Sequence, residues 1–207
     1  MIKLYERYPI LNKIMGKIEE AFREMIDCYL RGGKILLAGN GGSAADCDHI
    51  VGELMKGFLK KRPITKEKAE LMKENNPATS EELISSLQCG LPAISLPALC
   101  ALNSAFSNDC NAEFIYAQAV MALGRSEDLL IAISTSGNSK NVCRAADTAK
   151  ALGIKVIALT GDGGGRLAEI ADVTVAVPEK ETYKVQELHL PVYHYLCAGV
   201  EAHFFKE

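Results

Sequence analysis

The chain of 207 residues has the length of one ordinary domain. Apolar residues make up 48% of it and charged residues 24%, proportions that exclude an intrinsically disordered chain. The net charge of −3 gives no support for a nucleic-acid partner or an anionic membrane surface. No apolar run is long enough to span a bilayer, and the N-terminal stretch lacks the apolar core and cleavage site of a signal peptide.

Seven cysteines are scattered along the chain without any Cys-x-x-Cys pair. Their number is odd, and most of them stand among apolar neighbours, as Cys100 and Cys197 do. This pattern is typical of reduced thiols in a protein core rather than of a disulfide framework. We therefore expect a soluble protein of the cytoplasm.

Short, continuous apolar runs predict five strands that are buried on both faces, as in a parallel sheet. The predicted strands span 34–38, 91–96, 128–133, 155–159 and 173–177. Apolar residues at helical spacing predict helices between these runs and at both ends of the chain. The predicted helices span about 2–31, 43–58, 108–123, 139–152 and 182–205. This alternation predicts an α/β fold in which helices cover both faces of one parallel sheet, a three-layer αβα sandwich.

Residues 59–86 interrupt the alternation with charged residues and Asn and Pro turn signals. We predict a helical insertion of one or two helices after the first crossover helix. It is too short to be a domain of its own, so the chain is predicted to be a single domain over 1–207.

The segment Ser134–Ser139, called the serine loop here, follows the third predicted strand. Ligands of open α/β sheets bind outside the carboxyl ends of the strands. Free backbone N–H groups at a helix start suit a phosphate group, and Lys140 is the nearby cation. A plain turn with a serine cap is the alternative, but the full six-residue sequence favours phosphate binding. The hydroxyls are those of Ser134, Thr135, Ser136 and Ser139.

A second segment, Gly39–Ser43, follows the first predicted strand and is called the glycine loop here. It lacks the Gly-Lys-Ser/Thr ending of a Walker loop and the spacing of a dinucleotide-binding fingerprint. Its glycines would let a ligand approach the backbone, while Asn40 and Ser43 would supply polar contacts. A structural turn would explain the glycines equally well, but not the polar groups beside them.

His49 and Glu53 lie one turn apart on the next predicted helix, a spacing that suits shared metal ligation or acid–base chemistry. Such a pair is often only a solvated contact. The last predicted helix carries Gln186 and His194, about 12 Å apart along a straight helix. These two could reach one metal ion only if their side chains lean inward or if Pro191 kinks the helix. Imidazole and carboxylate ligands suit Zn²⁺.

Together these motifs closely resemble those of the phosphoheptose isomerases, a branch of the sugar isomerase (SIS) domain group. The resemblance covers nearly the whole chain except residues 59–86. It implies a flavodoxin-like SIS fold with strand order 2-1-3-4-5, and a homotetramer whose active sites lie between subunits. It also implies conversion of sedoheptulose 7-phosphate to D-glycero-D-manno-heptose 7-phosphate through an enediol.

Position by position, the resemblance assigns Glu53 and His194 as the acid–base pair. In zinc-containing members the metal ligands match His49, Glu53, Gln186 and His194, so one Zn²⁺ per site is expected. The roles of Glu53 as ligand and as base would then compete. The positions that match substrate contacts are Asn40, Gly41, Ser43, Asp109, Ser134, Thr135, Ser136, Ser139 and Gln186.

Two other functions are compatible with the same motifs. One is an SIS isomerase or binding protein for another phosphosugar, and the other is a non-enzymatic tetrameric adaptor that binds the replication initiator DnaA. The presence of all four residue types of the zinc set favours an enzyme, because an adaptor has no chemical need of them. The expected partners are a sugar phosphate and further copies of the chain, with no nucleic acid and no membrane.

Overall fold

The computed structural model describes residues 3–205, and residues 1, 2, 206 and 207, which the predicted domain includes, lie outside the described part. Five parallel strands form one sheet in the order β2-β1-β3-β4-β5. Both the predicted sheet and the strand order implied by the resemblance are confirmed. The strands are β1 (Ile35–Ala38), β2 (Ala93–Ser95), β3 (Leu129–Ile133), β4 (Lys155–Thr160) and β5 (Val173–Ala176).

Helices cover both faces of this sheet. Alternate residues of each strand point to opposite faces, so Leu37 of β1 packs with α2, α3 and α10 while Leu36 packs with α7, α8 and α9. The helices are α1 (Leu4–Arg7), α2 (Met15–Leu30), α3 (Gly42–Met55), α4 (Lys66–Asn75), α5 (Glu81–Ser86), α6 (Cys100–Phe106), α7 (Ile115–Leu123), α8 (Lys140–Ala151), α9 (Gly165–Ile170) and α10 (Thr182–Phe204). No helix within residues 3–205 is long and apolar enough to cross a membrane.

The predicted N-terminal helix over 2–31 is wrong as one element, and its residue 2 lies outside the described part. In its place stand α1, a 3₁₀ segment over Pro9–Ile14 and α2. Pro9 is the physical reason, because a proline disfavours the helical conformation at the residue before it. Tyr8 accordingly has φ −127° and ψ 72°.

The predicted helix over 108–123 begins only at Ile115, as α7. It is preceded by a π-helical turn over Ser107–Asn111 and a 3₁₀ turn over Ala112–Phe114. The short helices α6 and α9 were not predicted, since seven and six residues are too few to show an apolar period. All seven cysteines are free thiols, but Cys100, expected among the core thiols, is exposed.

Residues 59–86, the predicted insertion, contain the two short helices α4 and α5. Side chains cap both helices, with Thr65 Oγ1 accepting from the Lys68 N–H and Ser80 Oγ from the Leu83 N–H. Neither helix has a buried residue. Helices α4 and α5 therefore add to the surface of the protein and not to its core.

Candidate active site

The serine loop connects β3 to α8 at the carboxyl end of the sheet. Its two ends are held together by a hydrogen bond between Ser134 Oγ and Ser139 Oγ, 2.9 Å apart. Ser139 precedes the first turn of α8, and its hydroxyl does not cap the helix. The loop therefore presents hydroxyls beside a helix N-terminus, an arrangement that favours an anionic ligand.

The serine loop interlocks with the loop between β4 and α9. Gly137 has φ +67°, and a Cβ at this position would lie 1.9 Å from the carbonyl oxygen of Gly164. The Gly137 carbonyl accepts from the Leu167 N–H at 2.9 Å, and Asn138 Oδ1 accepts from the Arg166 N–H at 3.0 Å. These contacts fix the shape of the serine loop.

The glycine loop lies beside the serine loop. The side-chain amides of Asn40 and Asn141 exchange two hydrogen bonds of 2.8 and 2.9 Å, and Tyr116 Oη donates to the Gly39 carbonyl at 2.8 Å. Sequence reasoning missed Asn141 and Tyr116, although Asn141 stands two residues after the serine loop. A cavity of about 320 Å³ lies where the loops meet, and it is lined by Asn40, Ala112, Glu113, Ser139, Lys140 and Asn141.

Two further predicted substrate contacts, Ser43 and Asp109, have different surroundings. Ser43 is buried in the first turn of α3, with 4% of its surface exposed. Asp109 is exposed in the π-helical turn and accepts a hydrogen bond from its neighbour Asn108 at 2.8 Å. In the described structure no hydrogen bond or ion pair joins Asp109 to the other predicted site residues.

His49, Glu53 and His194 meet on the packed faces of α3 and α10, and they are called the histidine cluster here. His49 Nε2 lies 3.2 Å from Glu53 Oε1 and 3.4 Å from His194 Nε2. Burial holds the pKa of His194 below its ordinary value, and the neighbouring His49 lowers it further against the opposing effect of Glu53. This lowering of the pKa favours the neutral form of the His194 imidazole.

The histidine cluster is joined by side chains that the sequence did not single out. Tyr193 Oη lies 3.0 Å from His49 Nδ1 and donates to Asp46 Oδ1 at 3.2 Å. Burial raises the pKa of Asp46, while the hydrogen bond from Tyr193 and the nearby His49 act against the rise. A cavity of about 300 Å³ opens onto the cluster, and it is lined by Arg7, Tyr8, Leu190, Pro191 and His194.

Gln186 does not join the histidine cluster within one chain. Its side-chain amide lies against Gly42, where an added Cβ would come within 2.5 Å of Gln186 Nε2. His49 is seven residues further along α3, about 10 Å on a straight helix. Helix α10 runs from Thr182 to Phe204 through Pro191, and no break in it brings Gln186 to the cluster. The four expected metal ligands are therefore not all brought together by this chain alone.

The cluster matches the requirements of Zn²⁺ only in part. Its two imidazoles and one carboxylate are preferred ligands of Zn²⁺. The distances from His49 Nε2 to Glu53 Oε1 and to His194 Nε2 are 3.2 and 3.4 Å, close to the distance of about 3.3 Å between two ligand atoms of a tetrahedral Zn²⁺. Within residues 3–205, however, no group of three or more His, Cys, Asp or Glu side chains is arranged to hold a metal ion. The donors present would have to shift to bind one.

A buried ion pair fixes the end of α3 that carries Glu53. Arg62 Nε donates to Glu201 Oε1 at 2.9 Å, and its two terminal nitrogens donate to the carbonyls of Leu54 and Glu53 at 2.6 and 3.1 Å. Arg62 thus caps the last turn of α3 and ties it to α10. The backbone N–H groups that also bind Glu201 are those of Phe58, Leu59 and Lys60. Sequence reasoning missed this pair, since no local pattern links residues 139 positions apart.

Comparison with known proteins supports the resemblance to the SIS domain group over most of the chain. The SIS domain family matches residues 107–197, and a second SIS domain family matches residues 8–90. The chain is 36% identical over 195 residues to a phosphoheptose isomerase of Aneurinibacillus thermoaerophilus, covering 94% of this chain and 85% of that protein. It is also 36% identical over 194 residues to a phosphoheptose isomerase of Helicobacter pylori strain P12, covering 94% of this chain and 88% of that protein.

A solved structure gives the same result in three dimensions. The phosphoheptose isomerase GmhA from Neisseria gonorrhoeae superposes with a TM-score of 0.76 at 31% identity, covering 95% of this chain and 91% of that chain. Likeness in sequence and in fold thus extends over nearly the full length, as the three motifs indicated. The chain belongs to the phosphoheptose isomerase family of SIS domain proteins.

Proposed function

We propose that this protein is a cytoplasmic aldose–ketose isomerase that converts sedoheptulose 7-phosphate to D-glycero-D-manno-heptose 7-phosphate. The observation that carries the proposal is that α3 connects the two halves of such a site. The helix begins at the glycine loop, beside the serine loop, and two turns later it carries His49, which forms the histidine cluster with Glu53 and with His194 of α10. An extended sugar phosphate needs this separation, because its phosphate and its carbonyl lie at opposite ends.

In this proposal the serine loop binds the phosphate through its hydroxyls and the N-terminus of α8. Binding relies on neutral donors, since Lys140 Nζ is paired with Glu113 Oε1 at 2.7 Å. The glycine loop contacts the open-chain sugar. The remaining proposed substrate contacts are Asn40, Gly41, Ser43, Asp109 and Gln186.

Glu53 is the proposed base that takes the proton from C1 and returns it at C2. Removal of the first proton leaves negative charge on the C2 oxygen, and the enediol forms when that oxygen takes a proton. His194 transfers the second proton between the oxygens on C1 and C2. The lowering of the His194 pKa by burial favours the neutral ring, and a neutral ring can accept one proton and donate another. Both side chains contact the same imidazole, that of His49.

We retain Zn²⁺ as a proposed cofactor with His49, Glu53 and His194 as three of its ligands. A bound Zn²⁺ would polarise the substrate carbonyl as a Lewis acid. Because Gln186 lies at the other end of α3, we propose that a second copy supplies it, in a homotetramer with sites between subunits. Metal content and subunit number, measured on the purified protein, test both statements.

The decisive experiment is an isomerisation assay on sedoheptulose 7-phosphate and on a panel of hexose and amino-sugar phosphates. We expect turnover of the heptose, and Glu53→Gln should lower kcat by about 10²- to 10⁴-fold while phosphate binding persists. Glu74→Gln on the exposed α4 is the matched control and should be as active as the wild type. Turnover of another sugar alone would contradict the substrate, and no turnover of any sugar would contradict the enzyme.

A further inference from the structure

We propose that Asn141 and Tyr116 hold the side-chain amide of Asn40 in one orientation, in which it offers a ligand a hydrogen-bond donor and no acceptor. Both are positioning residues that act through Asn40. The identity of the ligand as a sugar phosphate rests on the proposed function. The orientation itself follows from hydrogen bonds within the chain and can be measured without any substrate.

The orientation is set by a backbone group in the first turn of α8. The first N–H groups of a helix have no acceptor inside the helix, and the N–H of Val142 donates to Asn141 Oδ1 at 3.0 Å. Rotation of the Asn141 amide by 180° would place its NH₂ group against this N–H, donor against donor. The Val142 N–H therefore fixes which end of the Asn141 amide carries the oxygen.

Asn141 imposes this orientation on Asn40, which lies 101 positions away in the sequence. Asn141 Oδ1 accepts from Asn40 Nδ2 at 2.8 Å, and Asn141 Nδ2 donates to Asn40 Oδ1 at 2.9 Å. Two amides can exchange hydrogen bonds in this way only if the oxygen of each faces the nitrogen of the other. The Asn40 amide therefore has a single orientation that satisfies both bonds.

Tyr116 of α7 supports the glycine loop at two neighbouring oxygens. Its hydroxyl donates to the Gly39 carbonyl at 2.8 Å and to Asn40 Oδ1 at 3.2 Å, and the tyrosine is buried with 5% of its surface exposed. One hydrogen serves both oxygens, as in a three-centre hydrogen bond. Asn40 Oδ1 then has two donors, so neither of its lone pairs is left for a ligand.

The group that Asn40 can offer to a ligand is the second hydrogen on its Nδ2. This hydrogen has no acceptor within residues 3–205, and the exposed Asn40 lines the cavity between the loops together with Ser139 and Lys140. Asn141 has a similar second hydrogen, but its side chain is half-buried. A lone N–H binds an oxygen with a free lone pair. In the proposed site this acceptor is a sugar oxygen close to the phosphate.

The test is a double-mutant cycle on the KM for sedoheptulose 7-phosphate. Asn40→Ala and Asn141→Ala should each raise KM about 3- to 10-fold with kcat unchanged, because one hydrogen bond away from C1 and C2 is lost. The double variant should have the KM of Asn40→Ala, since Asn141 acts through Asn40. Independent contributions would instead multiply to about 10- to 100-fold.

Tyr116→Phe keeps the buried ring, removes the hydroxyl and should raise KM about 3-fold. Tyr29→Phe is the matched control, because Tyr29 Oη also donates to a backbone carbonyl, that of Pro92 at 3.3 Å, at the opposite end of the sheet. Asn76→Ala is the control for the asparagines, since Asn76 Oδ1 accepts from the Ala78 N–H in the insertion. Both controls should leave KM unchanged.

The orientation is measured by ¹⁵N NMR of the side-chain amides in the protein without substrate. The Asn40 signals are identified by their loss in Asn40→Ala. In the wild type one of the two Asn40 amide hydrogens should be protected from exchange with water and the other should not. Asn141→Ala should abolish this difference, because the protected hydrogen loses its acceptor.

Four results separate the parts of the proposal. Effects that multiply in the double variant would overturn the positioning role of Asn141. Equal exchange of both Asn40 hydrogens in the wild type would overturn the single orientation, and an unchanged KM in Tyr116→Phe would remove the tyrosine from the network. If the NMR signals respond as expected but no sugar phosphate is turned over, the proposed function fails and the orientation of Asn40 stands.

Discussion

The serine loop and the histidine cluster are built in different ways. Six consecutive residues form the serine loop, and backbone contacts with one neighbouring loop fix its shape. The histidine cluster is formed by side chains from two helices, and its geometry depends on how α3 packs against α10. The difference shows that the half of the site proposed to bind phosphate is formed by local sequence, whereas the half proposed to transfer protons depends on long-range packing.

Removing the Arg62–Glu201 ion pair, which ties α3 to α10, should have the largest effect on stability. Arg62→Met leaves Glu201 buried without its partner and uncaps the last turn of α3, so we expect a loss of about 3–5 kcal/mol in the free energy of unfolding. Urea denaturation measures it. Arg166→Met is the control: it removes an exposed arginine paired with Glu169 and should leave the free energy of unfolding nearly unchanged. A small loss for Arg62→Met would show that α3 is held by apolar packing alone.

Distorting the serine loop should have the second largest effect on stability. Gly137→Ala combines an unfavourable positive φ with a clash against the Gly164 carbonyl, and we expect about 3 kcal/mol of destabilisation. Gly153→Ala separates the two causes, because Gly153 has φ +75° but nothing within 4 Å of an added Cβ. It should cost about 1 kcal/mol. Equal losses at the two positions would mean that the interlocked loops can move apart freely.

Protonation of His189 should have a smaller effect on stability, and this effect depends on pH. His189 joins α10 to the end of β4. Its ring contacts the Thr160 carbonyl at 3.1 Å, and burial lowers its pKa to about 4. The unfolded chain, with an ordinary histidine pKa, binds the proton more readily between pH 6.5 and 4. Stability is therefore lost as the pH falls through this window, by roughly 2 kcal/mol at pH 4.5.

Urea denaturation at pH 7 and pH 4.5 measures this loss. His189→Gln retains an N–H for the Thr160 carbonyl and should remove most of the pH dependence. His203→Gln at the exposed end of α10 is the control and should keep it. An equal acid sensitivity in both variants would assign the effect to other groups.

The sequence predicted the parts of the molecule that depend on neighbours in the chain. The strands, the serine loop and the His49–Glu53 pair all follow from local patterns, and the structure contains each of them. Arg62, Tyr193 and Asn141 were missed because their partners come from distant segments. The position of Gln186 could not be predicted either, since it depends on which end of α3 the start of α10 meets.

The contact between Gly137 and Gly164 has a consequence for protein engineering. A Cβ on the first glycine would collide with the backbone of the second loop, so neither loop has an independent shape. If only residues 134–139 were transferred into another protein, the serine loop would pack against a different neighbouring loop and lose its shape. Grafting the serine loop onto another scaffold therefore requires transplanting both connections together, as one composite part.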